Sequence, residues 1–118
     1  MPLTIYHNPR CSKSRKTLEI IRDAGFEPRI VRYLDDPPDG ARIVALASLI
    51  GVPVKSLMRH KEAVVAEAPD LPDLDDDTAL AGWIAAHPAA LERPIVVSDD
   101  GRQAVVGRPP ENVQALLR

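Results

Sequence analysis

The chain holds a single cysteine, Cys11, so no internal disulfide can form. A lone thiol suits a reducing compartment, and a cytoplasmic location is the expectation. Aromatic residues are nearly as scarce: Tyr6, Phe26, Tyr33 and Trp83. They are not interleaved with basic residues as single-stranded nucleic acid binding demands. The formal net charge is only −2, so the chain has no overall cationic field for nucleic acid. A local basic pocket remains compatible with that balance. No run approaches the ~20 apolar residues of a membrane span, and no membrane association is expected. The opening Pro2-Leu3-Thr4-Ile5-Tyr6 reads as the start of structure and not as a signal peptide. His7, His60 and His87 show no metal-ligand spacing with the one cysteine, so no metal and no bound cofactor are expected.

The 118 residues suffice for one domain, expected over 1–118 as a monomer. A chain of this length buries roughly two thirds of its unfolded surface and needs no disulfide staple. Leu3 to Tyr6 is a short apolar run with a β-branched centre and predicts a strand, broken by His7-Asn8-Pro9. A helix follows from Cys11 or Ser12, with Leu18, Ile21 and Ala24 at helical spacing and Gly25 as its stop. Pro28 to Leu34 predicts a second strand, which makes the opening a βαβ unit with parallel strands. Beyond the loop Asp35–Gly40, residues Ile43, Leu46, Ala47 and Ile50 mark a half-buried helix. Shorter helical pieces follow from Val54 to Ala68. After an acidic loop, another helix carries Leu80, Trp83 and Ile84. Ile95–Val97 and Ala104–Val106 flank an Asp99-Asp100-Gly101 turn and predict a hairpin. Pro109-Pro110-Glu111 opens a final helix with Val113, Leu116 and Leu117. The order predicts an α/β sandwich around a mixed four-stranded sheet.

Cys11 falls where a strand hands over to a helix. The free N–H groups of a helix start favour a thiolate there, and Arg10, Lys13, Arg15 and Lys16 add positive charge. Most lone cysteines are inert core residues; this microenvironment is one that activates a thiol and attracts an anion. Cys11-Ser12-Lys13-Ser14 has the form of a Cys-x-x-Cys redox site with serine in the second place. A sulfur redox cycle would therefore need an external thiol. Arg59, Arg93 and Arg108 stand out by context, because guanidinium groups hold tetrahedral oxyanions with paired donors. Spacing alone does not bring them to Cys11.

The run His7-Asn8-Pro9-Arg10-Cys11-Ser12-Lys13-Ser14-Arg15 resembles the active-site loop of the glutaredoxin-coupled arsenate reductases. Tyr33-Leu34 with Pro37-Pro38, Leu57-Met58-Arg59, Arg93-Pro94-Ile95-Val96-Val97 and Gly107-Arg108-Pro109 are similar to that family's later landmarks, in order. The resemblance spans essentially the whole chain. It implies a thioredoxin-like three-layer sandwich, with halves at about 1–34 and 92–118 and a helical insertion at about 39–91. It implies that Cys11 is the nucleophile, that Arg59, Arg93 and Arg108 bind the oxyanion, and that Pro94 is a cis proline. His7, Asn8, Ser14 and Arg15 match the positions that support the cysteine; His7 either tunes the local electrostatics or simply packs. The implied activity is reduction of arsenate, or a similar oxyanion, with glutathione as co-substrate and glutaredoxin as partner. Many members carry Gly-Thr where this chain has Ser12-Lys13, and the chain looks closer to a compact branch of the family.

Rival readings stay open at this level. Stress regulators that bind RNA polymerase share the fold, but many use a Cys-x-x-Cys switch that Ser14 removes here. A glutathione-linked thiol oxidoreductase with another substrate is a second reading. A cysteine phosphatase fits less well, because Thr17 stands where the Cys-x5-Arg loop needs arginine.

Overall fold

The structure, a computed structural model, describes residues 2–117. Within it the chain divides into two compact units. One comprises the residues up to Asp36 together with those from Arg93 onward; the other is Pro37–Glu92.

The first unit is built on a four-stranded mixed sheet, ordered β2-β1-β3-β4. β1 (Thr4–His7) is central, and its β-branched and apolar residues suit a strand flanked on both sides. It pairs in parallel with β2 (Arg29–Arg32) and antiparallel with β3 (Ile95–Val97), which in turn pairs antiparallel with β4 (Ala104–Val106). The register aligns Ile30, Ile5, Val96 and Val105 across the sheet, and directly paired residues share a face. On that face Leu3, Ile5 and Val96 form a buried cluster with Ile21 and Val113. β1 runs one residue further than the sequence reading places it, because His7 pairs with Arg32 instead of opening the loop.

α1 (Ser12–Asp23) supplies Ile21 to this cluster, with Leu18 and Ile20 packed against it. The helix ends at Ala24, and Gly25 at φ +91° turns the chain towards β2. The last segment is helical, as the sequence predicts, and its type is settled by the structure. Pro110–Leu116 winds as a 3₁₀ helix and not as an α-helix. Its apolar residues explain why: Pro110, Val113 and Leu116 recur every three positions, and a 3₁₀ helix stacks such residues in one row. That row buries Val113 completely and lays Leu116 beside it.

The second unit is helical. α2 (Gly40–Ile50) starts at Asp39, whose carboxylate accepts the Arg42 N–H at 2.8 Å. α3 (Ala63–Ala66) is a single turn. α4 (Asp77–Ala86) starts at Asp76, which accepts the Ala79 N–H at 3.1 Å. α2 packs on α4 through fully or nearly fully buried side chains, Ile43, Leu46 and Ala47 from one and Leu80, Ala81 and Ile84 from the other. The segment Leu57–Arg59 runs beside Ala90–Glu92. Arg59 N–H donates to Ala90 O at 2.7 Å and Glu92 N–H to Leu57 O at 2.6 Å. Among the described residues no helix is long and apolar enough to cross a membrane.

Candidate active site

The loop after β1 is folded around one buried hydroxyl. Ser14, in the first turn of α1, is fully buried. Its Oγ accepts the Asn8 N–H at 3.0 Å and lies 2.6 Å from His7 Nδ1. Asn8 Oδ1 accepts the Arg10 N–H at 3.0 Å, and Asn8 O accepts the Cys11 N–H at 3.0 Å, which closes a tight turn over Pro9. Arg15 Nη1 donates to Pro9 O at 3.0 Å. Each of these side chains serves backbone groups that the strand-to-helix handover would otherwise leave unsatisfied.

Cys11 occupies the N-cap of α1 with extended backbone dihedrals, and its side chain is half-buried. Burial by itself pushes the thiol pKa up. The Ser14 N–H, the Arg93 charge, the Lys13 N–H and the Arg108 charge outweigh it, so the net value lies below that of an ordinary thiol. The cations that act on the sulfur are thus Arg93 and Arg108, distant in sequence. The basic neighbours take other tasks: Arg15 holds the loop and Lys16 pairs with Glu19 at 3.6 Å.

His7 is only 6% exposed. Burial depresses its pKa first, followed by the charges of Arg32, Arg22 and Arg15. Both effects favour the neutral imidazole. Which partner holds the proton in its bond to Ser14 depends on the tautomer.

Arg93 and Arg108, whose charges reach the sulfur, each precede a proline in cis, Arg93-Pro94 before β3 and Arg108-Pro109 after β4. Gly107 N–H donates to Pro94 O at 2.9 Å and ties the two loops. A Cβ at Gly107 would stand 2.6 Å from Thr17 Oγ1 and 2.8 Å from Pro94 Cγ, so only glycine fits. Thr17 is itself fully buried, with its hydroxyl donating to Lys13 O at 2.8 Å. Asn112 Nδ2 donates to Val106 O at 3.1 Å and Arg108 O at 3.3 Å, which anchors the second loop.

The first unit therefore collects Cys11, His7, Asn8, Ser14, Arg15, Arg93 and Arg108 from its own elements. Arg59 belongs to the helical unit, where its Nη1 pairs with Glu62 Oε2 at 2.8 Å. Sequence reasoning assigned no role at the site to Thr17, Gly107 or Asn112. A polar Thr17 one turn before the apolar Ile21 was the available signal for the first. A glycine directly before Arg108-Pro109 was the signal for the second. Asn112 had none, because its partners are backbone carbonyls.

The remaining histidines have structural partners. His60 Nε2 lies 3.0 Å from Lys55 O. His87 Nδ1 lies 2.8 Å from Trp83 O and its ring stacks on the Trp83 indole at 4.2 Å. Among the described residues no group of three or more His, Cys, Asp or Glu is placed to hold a metal ion.

The chain is similar to known proteins along nearly its whole length. The arsenate reductase of Neisseria meningitidis serogroup A is 44% identical over 117 residues, 98% of this chain and 97% of that protein. The arsenate reductase of Escherichia coli K12 is 39% identical over 98% of this chain and 80% of its own length. The solved structure of the arsenate reductase from Vibrio cholerae superposes with a TM-score of 0.89 at 39% identity, covering 98% of each chain. That likeness carries the thioredoxin-like fold of those enzymes over to the mixed sheet and helices described above. The model of the ArsC family matches residues 6–116, and with relatives of this identity over nearly the full length, the chain belongs to the ArsC family.

Proposed function

We propose that this protein is an arsenate reductase that uses Cys11 as nucleophile and draws its electrons from glutathione and glutaredoxin. The observation that carries the reading is a half-buried thiol held below its ordinary pKa by helix-start amides and by Arg93 and Arg108. A thiolate beside two guanidinium groups is suited to attack a tetrahedral oxyanion, whose charge the same groups offset. Arg59 enters as a third oxyanion ligand on the strength of the Leu57-Met58-Arg59 motif.

In the first step Cys11 Sγ forms a bond to As(V), and an arsenate oxygen leaves as water with the protons of thiol and acid. In the second, the glutathione thiolate attacks Cys11 Sγ. The S–As electron pair passes to arsenic, which leaves as arsenite in the As(III) state, and a Cys11–glutathione disulfide remains. That bond must be opened from outside, since the chain has no second cysteine. A glutaredoxin thiol attacks its glutathione sulfur and restores Cys11. Such a cycle belongs in a reducing compartment with a glutathione pool. His7, Asn8, Ser14 and Arg15 act as positioning residues, since they shape the loop that aims the Ser14 and Lys13 amides at the sulfur.

The test is Cys11→Ala in a coupled assay with arsenate, glutathione and glutaredoxin. Arsenite formation is expected to drop to the uncatalysed background; sustained turnover would remove the nucleophile assignment. In the same assay, comparing arsenate with phosphate and sulfate as oxyanions tests the substrate.

A further inference from the structure

A second cationic site lies on the β2 side of the same loop. His7, Arg10, Arg32, Leu34 and Asp35 line a cavity of about 250 Å³, together with Asn8 and Pro9. It shares neither Cys11 nor Arg93 nor Arg108 with the oxyanion site. Arg32 pairs with His7 across β1 and β2, so both side chains stand on one face of the sheet. After burial, the charges of Arg32, Arg22 and Arg15 also lower the His7 pKa. Arg15 and Arg22 already have partners, Pro9 O and Glu27. Among the described residues, the guanidinium groups of Arg10 and Arg32 and the carboxylate of Asp35 form no ion pair. The cavity thus presents two cations and one anion for a ligand. Leu34, 45% exposed, adds an apolar wall.

We propose that this cavity docks the charged ends of the glutathione co-substrate, with Arg10 and Arg32 taking its two carboxylates and Asp35 its ammonium group. The proposal rests on glutathione being the reductant, as in the reading above. Charge for charge, the ligand complements the lining, and guanidinium groups suit carboxylates by their paired donors. The volume is slightly under the usual 300–1,000 Å³ of small-molecule sites, which matches a tripeptide held by its ends and not a macromolecule. Arg10 immediately precedes Cys11, and an extended tripeptide spans about 10 Å. One side chain is common to the cavity and to the loop that holds the thiol. His7 lines the cavity and bonds Ser14, whose amide points at the Cys11 sulfur.

Two measurements test it. S-methylglutathione, which has no thiol to react, is titrated into the intact protein and followed by the amide resonances of residues 7–10 and 32–35. Saturable shifts there are expected. Their absence overturns the proposal, and because this titration uses no arsenate, it is independent of whether the chain reduces arsenate. Arg32→Ala should weaken this binding, and raise KM for glutathione, by about 10–100-fold, the range for loss of a charged hydrogen bond. KM for arsenate and the rate of Cys11 alkylation should stay put. Arg29→Ala, on the same exposed edge strand but outside the cavity, should change neither KM. Asp35→Asn separates glutathione from a bare anion. Removing a negative charge would tighten binding of inorganic phosphate, whereas S-methylglutathione should bind more weakly. Tighter or unchanged S-methylglutathione binding, or phosphate shifting the same resonances as strongly, overturns the assignment.

Discussion

The two units spend their charges in opposite ways. The sheet-bearing unit carries eleven Lys or Arg against eight Asp or Glu, and the helical unit four against nine. In the helical unit the acids serve the fold. Asp39 and Asp76 cap helices, Asp77 accepts the Val54 N–H at 3.3 Å, Asp70 accepts the Trp83 Nε1–H at 3.3 Å, and Asp75 pairs with Lys55 at 3.0 Å. In the other unit Arg93 and Arg108 act on a half-buried sulfur, and Arg10 and Arg32 face a cavity. A carboxylate near a loose N–H lowers the energy of the local structure. Guanidinium groups gathered around a thiolate instead prepare a place for an anion. The lesson is that net charge, −2 for the whole chain, says little about either task.

That contrast can be broken at several points, and the largest effect is expected at Arg108. Arg108→Ala removes one of the proposed oxyanion donors and should lower turnover of arsenate by about 10²–10³-fold. It also removes a charge that stabilises the thiolate. The Cys11 pKa should therefore rise towards the ordinary thiol value. In iodoacetamide alkylation, the wild-type rate should climb through a pKa below that value and level off, with the variant's curve displaced to higher pH. Coincident curves would show that Arg108 does not govern the sulfur.

Gly107→Ala tests the packing beneath the same arginine. The added methyl must displace Thr17 or Pro94, and overpacking of this kind costs about 1–3 kcal/mol. Denaturant unfolding should report that loss together with a lower fraction of thiolate at neutral pH. A change in stability without any change at the sulfur would separate the loop pair from the chemistry.

The smallest effect belongs to the acidic unit. Asp76→Ala removes the N-cap of α4 and should cost about 1 kcal/mol in stability. The Cys11 alkylation profile should remain where it was. If it shifted as far as in Arg108→Ala, the division between structural acids and functional cations would fail.

Much of the fold was readable from local pattern. Ile43, Leu46 and Ala47 announced α2 by their spacing, and Gly25 marked the end of α1. The final helix was read in its place, but not its 3₁₀ type, because a proline-led run with residues every three positions also satisfies a loose helical pattern. The candidate site was legible in part. The position of Cys11 after a strand pointed to an activated thiol, yet two of the four cations first credited with it, Arg15 and Lys16, hold the loop and a glutamate.

From the sequence alone came the order of strands and helices, the lone thiol at a helix start and the lack of a second cysteine to pair with it. These follow from properties that act over a few neighbouring residues: side-chain period, capping, and the count of sulfur atoms. Only the tertiary structure decided that Arg93 and Arg108 face Cys11, that Gly107 must be bare, and that Arg32 stands beside His7. Each of those depends on strand pairing and loop closure between residues far apart in the chain, and no local propensity encodes that proximity.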